Sequence, residues 1–527
     1  MDEAYQTSSC STTLARVTPR TIPALIEKAK QTYADHPAIV DGPTTLTYAE
    51  LAEAADRAAR AFLASGVRSG DRVAIWAPNR WEFPVAVLGA QTIGAAVVPL
   101  NTRYRGHEAR EILDRSRATA LVTVNGFLGT DYVQMLHDAG PLPEHLLTIV
   151  DLASDWDDFL ARGEDTTDQQ LEDAKASVTP DTLADLLFTS GTTGRPKGVM
   201  SAQRQTLGVA DVWARGAELT TRDRYAIVNP FFHGFGYKAG FIAAFTSGAT
   251  VYPIATYDPT QALQLIQDAR ITVLPGAPTI FTTLINHPDL KAYDLSSLRF
   301  AIAGAASVPE SLFADMRDIL GIDEVKGAYG LTECMVATTT RPGEDPEHVA
   351  KVVGPAVEGL EIRTVTAAGD DAEPGEDGEV WIRGDNVMLG YFENPEATAE
   401  AIDEDGWLHT GDVGFLDEHG CLKITDRIKD MFTVGGFNVY PAEVENTLAG
   451  HPGIVEAAVI GVPDARLGQV GKAFVVVSDD LSADSIATWL KDRLANYKQP
   501  RAYVLVDSLP RNASGKVLKT DLRDNSI

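Results

Sequence analysis

Apolar and polar positions follow two alternating patterns through most of the chain. Thr47–Glu50 has the form of a capping box, and the alanine-rich segment behind it predicts a helix that ends near Gly66. The short apolar run Asp71–Trp76 predicts a buried strand, and Pro84–Gly94 and Ala95–Leu100 predict the next helix and strand. Further short strands are predicted at Ala226–Val228, Thr250–Tyr252, Thr272–Leu274 and Phe300–Ile302. Strands separated by helices indicate an α/β fold with mainly parallel, helix-covered sheets.

The pattern changes after Gly378. Glu379–Arg383 and Cys421–Thr425 are apolar runs separated by turns rich in glycine and aspartate, which favours a smaller antiparallel region. Beyond it we predict, in order, a helix, two strands and a helix at Pro441–Ala449, Val455–Gly461, Ala473–Val477 and Ser485–Leu494. We therefore place a domain boundary within Asp426–Asp430: residues 1–428 form a large N-terminal domain, and residues 429–527 form a small, mobile C-terminal α+β domain.

The composition limits the possible binding partners and cellular compartment of the chain. Its 527 residues carry a formal net charge of −29, and such a surface repels nucleic acid and anionic lipid. The three cysteines, Cys10, Cys334 and Cys421, show neither a disulfide framework nor a metal-binding spacing, which fits a reducing compartment. The acidic N-terminal residues do not resemble a signal peptide, and the longest apolar stretch is too short to span a bilayer. We expect a soluble cytoplasmic protein, with the oligomeric state left open, a homodimer included.

The segment Leu187–Gly198 is the strongest local signal for chemistry. Glycines, hydroxyl-bearing residues and Lys197 follow an apolar strand, and a loop of this composition can surround an anion with backbone N–H groups. It departs from the common nucleotide-binding P-loop, because Pro196 replaces the second glycine and Gly198 replaces the magnesium-binding hydroxyl. A hydrolase nucleophile elbow is excluded, because Phe188 stands where glycine is required. The sequence favours phosphate binding.

Thr189–Gly198 resembles the phosphate loop of the adenylate-forming superfamily, which comprises acyl- and aryl-CoA synthetases, peptide-synthetase adenylation domains and luciferases. Further matching stretches occur in the family's order: Ala328–Glu333, Trp407–Asp412, Asp426–Asp430 with Gly435 and Gly436, and Pro510–Lys516. The resemblance extends from about Thr21 to Arg523. It implies an ATP-dependent acid–thiol ligase that makes an acyl-adenylate with magnesium and then transfers the acyl group to coenzyme A.

The resemblance also implies site residues. The phosphate site comprises Thr189, Ser190, Gly191, Thr192, Thr193, Gly194 and Lys197. Tyr329 stacks on adenine with the help of Gly304, Ala305 and Ala306, and Gly330 and Thr332 also belong to the nucleotide site. Asp412 grips the ribose hydroxyls, with Trp407 nearby and Arg427 reaching ribose and phosphate. Glu333 holds magnesium together with Thr192, Lys516 contacts the carboxylate and the α-phosphate, Lys429 is the hinge position, and Gly435 and Gly436 line the pantetheine route. A metal ion and several cations are needed because two anions must meet at the α-phosphorus.

The acyl pocket is predicted from Asn229–Gly240, Leu274–Thr279 and the turn at Gly304. His233 is expected to border the substrate carboxylate, and Phe235, Lys238, Pro278 and Gly304 are expected to contact the acyl group. Lys238 is of interest because a lysine that faces inward could pair with a keto oxygen, although it could equally extend to solvent. The same stretches resemble the bacterial CoA ligases of steroid catabolism, which act on the propanoate side chain of a methylhexahydroindanedione.

Other interpretations remain at this stage. The acid could instead be a medium- or long-chain fatty acid or an aryl acid. The fold could also serve an enzyme that loads a carrier protein, a luciferase-like oxidase, or a binding protein that has lost its chemistry. Gly234–Ala239 matches a dinucleotide fingerprint, with Asp258 following, and would indicate a nicotinamide-dependent oxidoreductase. Asn229–Pro230 interrupts the tight turn that such a site requires.

Overall fold

The computed structural model of the protein describes residues 19–189, 196–304, 308–434, 437–464, 466–478, 481–491, 493–511 and 517–524. The first elements are α1 (Ile22–Tyr33), β1 (Pro37–Asp41), β2 (Thr44–Thr47), α2 (Tyr48–Ala64), β3 (Arg72–Trp76), α3 (Glu82–Thr92), β4 (Ala96–Pro99), α4 (Gly106–Ser116), β5 (Ala120–Thr123), α5 (Tyr132–Asp138), β6 (Thr148–Asp151), α6 (Trp156–Ala161), α7 (Asp168–Ser177), β7 (Leu183–Thr189) and β8 (Lys197–Ala202).

The middle of the chain continues with α8 (Gln203–Gly216), β9 (Arg224–Ile227), α9 (Gly234–Gly236), a π-helix (Tyr237–Ile242), α10 (Ala243–Ser247), β10 (Thr250–Pro253), α11 (Pro259–Ala269), α12 (Pro278–Ile285), β11 (Phe300–Ile302), α13 (Glu310–Asp318), β12 (Glu324–Lys326), β13 (Ala328–Leu331), β14 (Cys334–Thr339), α14 (Pro346–Val349), β15 (Leu360–Val365), β16 (Gly378–Gly384), β17 (Gly390–Tyr391), α15 (Pro395–Ala401), β18 (Leu408–Leu416) and β19 (Leu422–Arg427). The last elements are β20 (Phe432–Val434), β21 (Phe437–Val439), α16 (Pro441–Ala449), β22 (Ile454–Asp464), β23 (Gly468–Val477), α17 (Ala483–Lys491), β24 (Ala502–Leu505) and α18 (Lys519–Asp524).

Two large sheets carry the predicted alternation. One has the strand order β17-β8-β7-β4-β3-β5-β6, parallel from β7 to β6, with β8 and β17 antiparallel at one edge. The other has the order β2-β1-β10-β9 and continues through bridges at Val273 to the parallel pair β11–β12. The predicted strand Thr272–Leu274 is wrong as a regular strand, because only Val273 pairs with its two neighbours. The predicted parallel, helix-covered architecture is confirmed.

Helices α2 and α3 pack closely together and form part of the buried core beside the sheets. The predicted capping box is present: the N–H of Thr47 donates to Glu50 at 2.8 Å, and the N–H of Glu50 donates to the Thr47 hydroxyl at 3.2 Å. Every residue of α3 is buried, and α3 packs against α2. The packing needs glycine at 89, because a Cβ there would lie 2.7 Å from the Cβ of Ala58. The core of the sheet layer therefore includes a helix that is buried on every side.

The antiparallel region has the strand order β15-β16-β18-β19. Its register places Asp412 on β18 opposite Arg427, the last residue of β19. Between this sheet and the parallel ones, β13 and β14 form a separate antiparallel pair in which Tyr329 faces Thr338. These short pairings position three of the predicted nucleotide-binding residues, Tyr329, Asp412 and Arg427.

The residues that follow Phe432 form their own sheet and core. The strand order is β21-β20-β23-β22, and β24 lies parallel to β23. Apolar side chains of α16 and α17, including Val444, Leu448, Ile486 and Leu490, are buried with those of the sheet. A separate core is what an independently folding unit requires. The boundary at residue 429 itself stays a prediction.

Candidate active site

One cavity of about 600 Å³ collects most of the predicted site residues that the structure describes. It is lined by Thr189, Lys197, Trp213, His233, Phe235, Ile302, Gly304, Ala328, Tyr329, Gly330, Leu331, Thr332, Glu333, Met335, Val336, Tyr391, Leu408, His409, Thr410, Gly411, Asp412, Arg427, Ile428 and Lys429. Its volume lies within the range typical of small-molecule sites. The lining combines a charged part with an apolar part.

A tyrosine, an aspartate and an arginine form a connected group on the cavity wall. The hydroxyl of Tyr329 donates to Oδ2 of Asp412 at 2.5 Å, and Nε of Arg427 lies 3.0 Å from Oδ1 of the same carboxylate. Burial and the neighbouring Asp412 carboxylate raise the pKa of Tyr329 well above its usual value, so its hydroxyl stays a donor. Asp412 is almost fully buried, and its two oxygens are held in fixed directions. Such an arrangement suits recognition of an aromatic base and a diol.

Lys197 and Glu333 lie on the same wall, joined by a residue that the sequence analysis missed. Thr189 at the end of β7 pairs in register with Lys197 at the start of β8, so the phosphate loop begins and ends on adjacent strands. The hydroxyl of Tyr391 donates to Oε1 of Glu333 at 2.8 Å, and Nζ of Lys197 lies 4.7 Å from the centre of the Tyr391 ring. Tyr391 thus positions an anion and a cation at once. A tyrosine immediately after glycine in a short edge strand gave no sequence signal for this role.

The apolar part of the cavity is built from α8, α9, β11 and β14. The rings of Trp213 and Phe235 meet edge to face at 5.2 Å, and a Cβ added at Gly304 would touch both Phe235 and Ile302 at 3.8 Å. Glycine at 304 therefore keeps the space in front of Phe235 open. The side chain of Met335 completes this wall. This end of the cavity therefore presents an apolar surface.

His233 lies where the apolar part meets the polar part. The backbone N–H of Phe235 donates to its Nδ1 at 3.2 Å, so this nitrogen acts as an acceptor. Burial lowers the pKa of His233 below its usual value, which favours the neutral ring. A neutral imidazole that accepts at Nδ1 carries its proton at Nε2 and can donate from there. The histidine is placed to contact a polar group without adding a charge.

Lys238 does not have the predicted acyl-pocket position. It is 2% exposed, its Nζ lies 3.0 Å from Oδ1 of Asp185, and it donates to the hydroxyl of Ser201 at 2.7 Å. Asp185 is fully buried and also accepts from the hydroxyl of Thr206 at 2.8 Å. The prediction of a lysine that faces the acyl group is wrong, because the ammonium group is already neutralised within the protein core and does not line the cavity.

Two other predicted contacts lie apart from the cavity lining. Pro278 is the first residue of α12 and is not among the lining residues. The indole of Trp407 is buried beneath the guanidinium groups of Arg363 and Arg383, each 4.4 Å from the ring. Trp407 therefore supports the strand that carries Asp412, and its direct contact with ribose stays a prediction. Several predicted residues lie outside the described part of the chain, namely Ser190, Gly191, Thr192, Thr193, Gly194, Ala305, Ala306, Gly435, Gly436 and Lys516.

The predicted hinge region is tied to the C-terminal helix. Lys429 lines the cavity, and burial together with the neighbouring Arg427 lowers its pKa. Nη2 of Arg523 on α18 donates to Oδ1 of Asp430 at 2.8 Å. Oδ2 of Asp426 accepts from the N–H of Ala442 at 2.9 Å, and burial raises the pKa of Asp426 to about 6. Residues on both sides of position 429 are thus fixed by contacts with the segments that follow.

The glycines of the possible dinucleotide fingerprint have packing roles. A Cβ at Gly234 would lie 2.1 Å from the methyl carbon of Met335, and a Cβ at Gly236 would lie 2.3 Å from the carbonyl oxygen of Pro230. The π-helix that follows is buried along its length. This segment is not the exposed strand-to-helix turn that a pyrophosphate needs.

Comparison with known proteins places the chain among its relatives. The family described as AMP-binding enzyme matches residues 26–392, and its C-terminal domain matches residues 443–516. The chain belongs to the AMP-binding enzyme family. This membership confirms the predicted fold class and the resemblance to adenylate-forming enzymes, and it contradicts the oxidoreductase interpretation.

Two similar family members are named for one reaction. The chain is 48% identical, over 96% of its length and 99% of the relative's, to a 3-[(3aS,4S,7aS)-7a-methyl-1,5-dioxo-octahydro-1H-inden-4-yl]propanoyl:CoA ligase of Rhodococcus jostii. It is 49% identical to the ligase of the same name from Mycobacterium tuberculosis, over 96% of this chain and 99% of that one. Among solved structures, it is similar to ATP-bound MatB from Rhodopseudomonas palustris, with a TM-score of 0.82 and 30% identity over 95% of this chain and 98% of that one. The predicted likeness to the steroid-catabolic CoA ligases is confirmed.

The part of the chain that the structure describes contains no helix long and apolar enough to cross a membrane.

Proposed function

We propose that the chain is an ATP-dependent, AMP-forming acyl-CoA synthetase whose acid is the propanoate of a methylated bicyclic dione derived from steroid rings. The observation that carries the proposal is one cavity that joins the Tyr329–Asp412–Arg427 group and Lys197 to an apolar end. The two relatives that are about half identical and bear that substrate's name support the choice of acid.

In the first half-reaction, a carboxylate oxygen of the acid forms a bond to the α-phosphorus of ATP and diphosphate leaves. The products are the acyl-adenylate and diphosphate. Lys197 lies over the Tyr391 ring, and its ammonium group would neutralise the charge of the departing diphosphate. The family resemblance adds Lys516 beside the α-phosphate, a position outside the described residues.

Magnesium fits the carboxylate of Glu333, which lines the cavity and has one oxygen oriented by the Tyr391 hydroxyl. An oxygen ligand is the type that this ion prefers. When bound, magnesium would neutralise phosphate charge as it develops. Thr192, the other predicted ligand, lies outside the described residues.

Nucleotide binding is assigned to the Tyr329–Asp412–Arg427 group of the same cavity. Tyr329 would stack on adenine, and Asp412 would accept from both ribose hydroxyls while Arg427 reaches ribose and phosphate. Asp412 is held rigidly by its two neighbours, so little ordering is required when the ribose arrives. Gly330 and Thr332 flank the same surface.

In the second half-reaction, the thiol of coenzyme A attacks the acyl carbon and AMP leaves. The adenylating lysine must then be withdrawn, and rotation of the C-terminal domain about Lys429 would accomplish this. Support comes from the separate core beyond Phe432 and from the position of Lys429 on the cavity wall. Gly435 and Gly436 would line the pantetheine route.

The substrate assignment no longer depends on Lys238, because that lysine is paired with Asp185. It rests on the apolar surface formed by Trp213, Phe235 and Met335, which suits the carbon skeleton of a compact bicyclic dione. His233 would donate from Nε2 to the carboxylate at the junction of the two parts. An aryl acid is the second candidate, because a feruloyl-CoA synthase of an Amycolatopsis species is 37% identical over 92% of this chain.

The test is the exchange of labelled diphosphate into ATP, with magnesium and a panel of acids from acetate to fatty acids, cinnamates and steroid-fragment propanoates. We expect the bicyclic dione propanoate to give the highest kcat/KM, followed by acyl-CoA formation when CoA is added. Exchange that is fastest with a cinnamate or a fatty acid would replace the substrate. Acyl transfer to a carrier protein but not to CoA would replace the acceptor, and absence of exchange with every acid would overturn the enzyme class.

A further inference from the structure

A second cluster of chemically reactive side chains lies away from the cavity. Glu344, His348 and Cys421 each offer one ligand atom, and these atoms all lie within 4.8 Å of one another. Cys421 is 1% exposed and is not in a disulfide. The cluster joins the segment before and within α14 to the hairpin between β18 and β19. Sulfur, imidazole nitrogen and carboxylate oxygen together are the donor set of transition-metal sites.

The backbone holds the two sides of the cluster together without any ion. The N–H of Val353, which follows α14, donates to the carbonyl of Leu422 at 2.7 Å, and the N–H of Leu422 donates to the carbonyl of Gly354 at 2.9 Å. Cys421 immediately precedes Leu422, so its sulfur is fixed relative to the α14 segment. The backbone therefore already places the three possible metal ligands close together, and only their side chains would have to move for an ion to bind.

Asp417 organises the hairpin side of the cluster. Its Oδ1 accepts from the backbone N–H groups of His419 and Cys421, both at 2.8 Å. Its Oδ2 lies 2.7 Å from Nε2 of His348. A carboxylate bonded to a histidine ring is the usual outer-sphere partner of metal-binding histidines, because it fixes the orientation of the ring. The ring of His419 lies 5.8 Å from that of His348, at nearly a right angle.

A second, independent observation concerns the carboxylate of Glu344. Oε2 of Glu344 is buried and has no hydrogen-bond partner among the described residues. A buried carboxylate oxygen without a partner is unfavourable, and proteins seldom retain one. The cluster thus has an anionic oxygen that an ion would satisfy.

We propose that Glu344, His348 and Cys421 bind a thiophilic divalent transition-metal ion such as zinc, with Asp417 orienting the histidine. A tetrahedral zinc ion takes four donors that lie roughly 3–4 Å apart. The three side chains reach this spacing by small movements, and a water molecule would take the fourth position. A hard ion such as magnesium would avoid the thiolate, so this site is chemically distinct from the one at Glu333. Zinc binding releases the thiol proton of Cys421 to solvent and forms a zinc–sulfur bond, with no change of oxidation state.

The ion would have a structural role. The hairpin end of β18 and β19 lies about 15 Å along the strands from the Asp412–Arg427 pair, estimated from the rise per strand residue. A metal bridge between the α14 segment and the hairpin would fix the far end of the two strands that carry the ribose-binding residues. The site is thus separate from the reacting groups.

The first experiment uses the full, untagged chain and zinc alone, measured by equilibrium dialysis with elemental analysis and magnesium as the comparison ion. We expect one equivalent of zinc per chain. Cys421→Ser and His348→Asn should weaken binding by about 100-fold or more, and Asp417→Asn by about 10–100-fold, the usual effect of losing an outer-sphere partner. The matched controls Cys10→Ser and His287→Asn should leave zinc binding unchanged. Equal effects of the test and control substitutions would overturn the proposal.

A second measurement covers the case in which the variants do not fold. Cobalt bound to the wild-type chain should show the charge-transfer absorption of a cobalt–thiolate bond, and zinc should displace it. Zinc, but not magnesium, should also raise the midpoint of thermal unfolding, because it binds the native state preferentially. Cobalt binding without thiolate absorption, or an unfolding midpoint that zinc leaves unchanged, would exclude the site.

Discussion

Two aspartates of this protein each pair with a cation, yet their surroundings differ completely. The side chains of Asp185 and Lys238 are 0% and 2% exposed, and they contact each other and hydroxyl groups inside the core. The Asp412 side chain is 5% exposed, but its partner Arg427 is 38% exposed and both line the cavity. The closed pair can only support the structure, whereas the open pair can exchange solvent for a ligand. Access decides which ion pair can act on a substrate.

The largest effect is expected from breaking the closed pair. Asp185→Ala would leave Lys238 charged and buried without its partner, and should lower the free energy of unfolding by about 3–5 kcal/mol. Urea unfolding followed by fluorescence measures this loss. The matched control is Asp181→Ala, which removes an exposed ion pair with Arg204 and should change stability by at most about 1 kcal/mol. Equal losses in the two variants would refute the structural role of Asp185.

The open pair should affect catalysis and not folding. Asp412→Asn removes the charge that would grip the ribose, and hydrogen bonds to charged groups are worth about 1.5–3 kcal/mol. We expect kcat/KM for ATP to fall about 10- to 100-fold while urea unfolding stays within about 1 kcal/mol of wild type. Asp405→Asn, at an exposed turn position, is the control. Loss of stability without loss of kcat/KM would place Asp412 among the structural carboxylates.

A smaller effect is expected at Tyr391. Tyr391→Phe removes the hydrogen bond to Glu333 but keeps the ring beneath Lys197, so about 1 kcal/mol of support is lost. Diphosphate exchange should slow several-fold and require more magnesium for half-maximal rate. Tyr391→Leu, which also removes the ring, should be slower still. If the two variants behave alike, the ring contributes nothing to the position of the lysine.

The smallest change is expected when the closed pair is removed as a unit. In the double variant Asp185→Leu with Lys238→Met, no buried charge is left unpaired, and such replacements are commonly neutral or stabilising. Stability should return to within about 1 kcal/mol of wild type, and kcat/KM for the bicyclic propanoate should be retained. A stable double variant that loses activity only toward this keto acid would restore Lys238 as a substrate-binding residue.

Local patterns predicted much of this structure. The capping box at Thr47, the strand before the phosphate loop and the helix at Pro441–Ala449 depend on neighbouring residues, and each is present. The strand predicted at Thr272–Leu274 was overestimated, because apolar residues alone do not determine whether a neighbour continues the ladder. Pairing between distant segments is decided by the whole fold.

Site residues could be predicted from the sequence only where they belong to a recognisable motif. Tyr329, Asp412 and Arg427 lie within family motifs, and the structure brings their side chains into contact. Lys238 was misassigned because its partner Asp185 lies 53 positions earlier, and nothing local shows which way the side chain turns. The same limit applies to Cys421: no spacing near it suggested a metal, since Glu344 and His348 approach it only through tertiary structure.

Arg427 forms the ion pair with Asp412 and is also the last residue of β19, two positions before Lys429. A nucleotide that engages this guanidinium would therefore bind directly at the point where the chain leaves the sheet. Binding free energy and interdomain orientation would then be linked reciprocally: whichever orientation holds Arg427 best is the one that retains nucleotide, and departure of AMP would release the other.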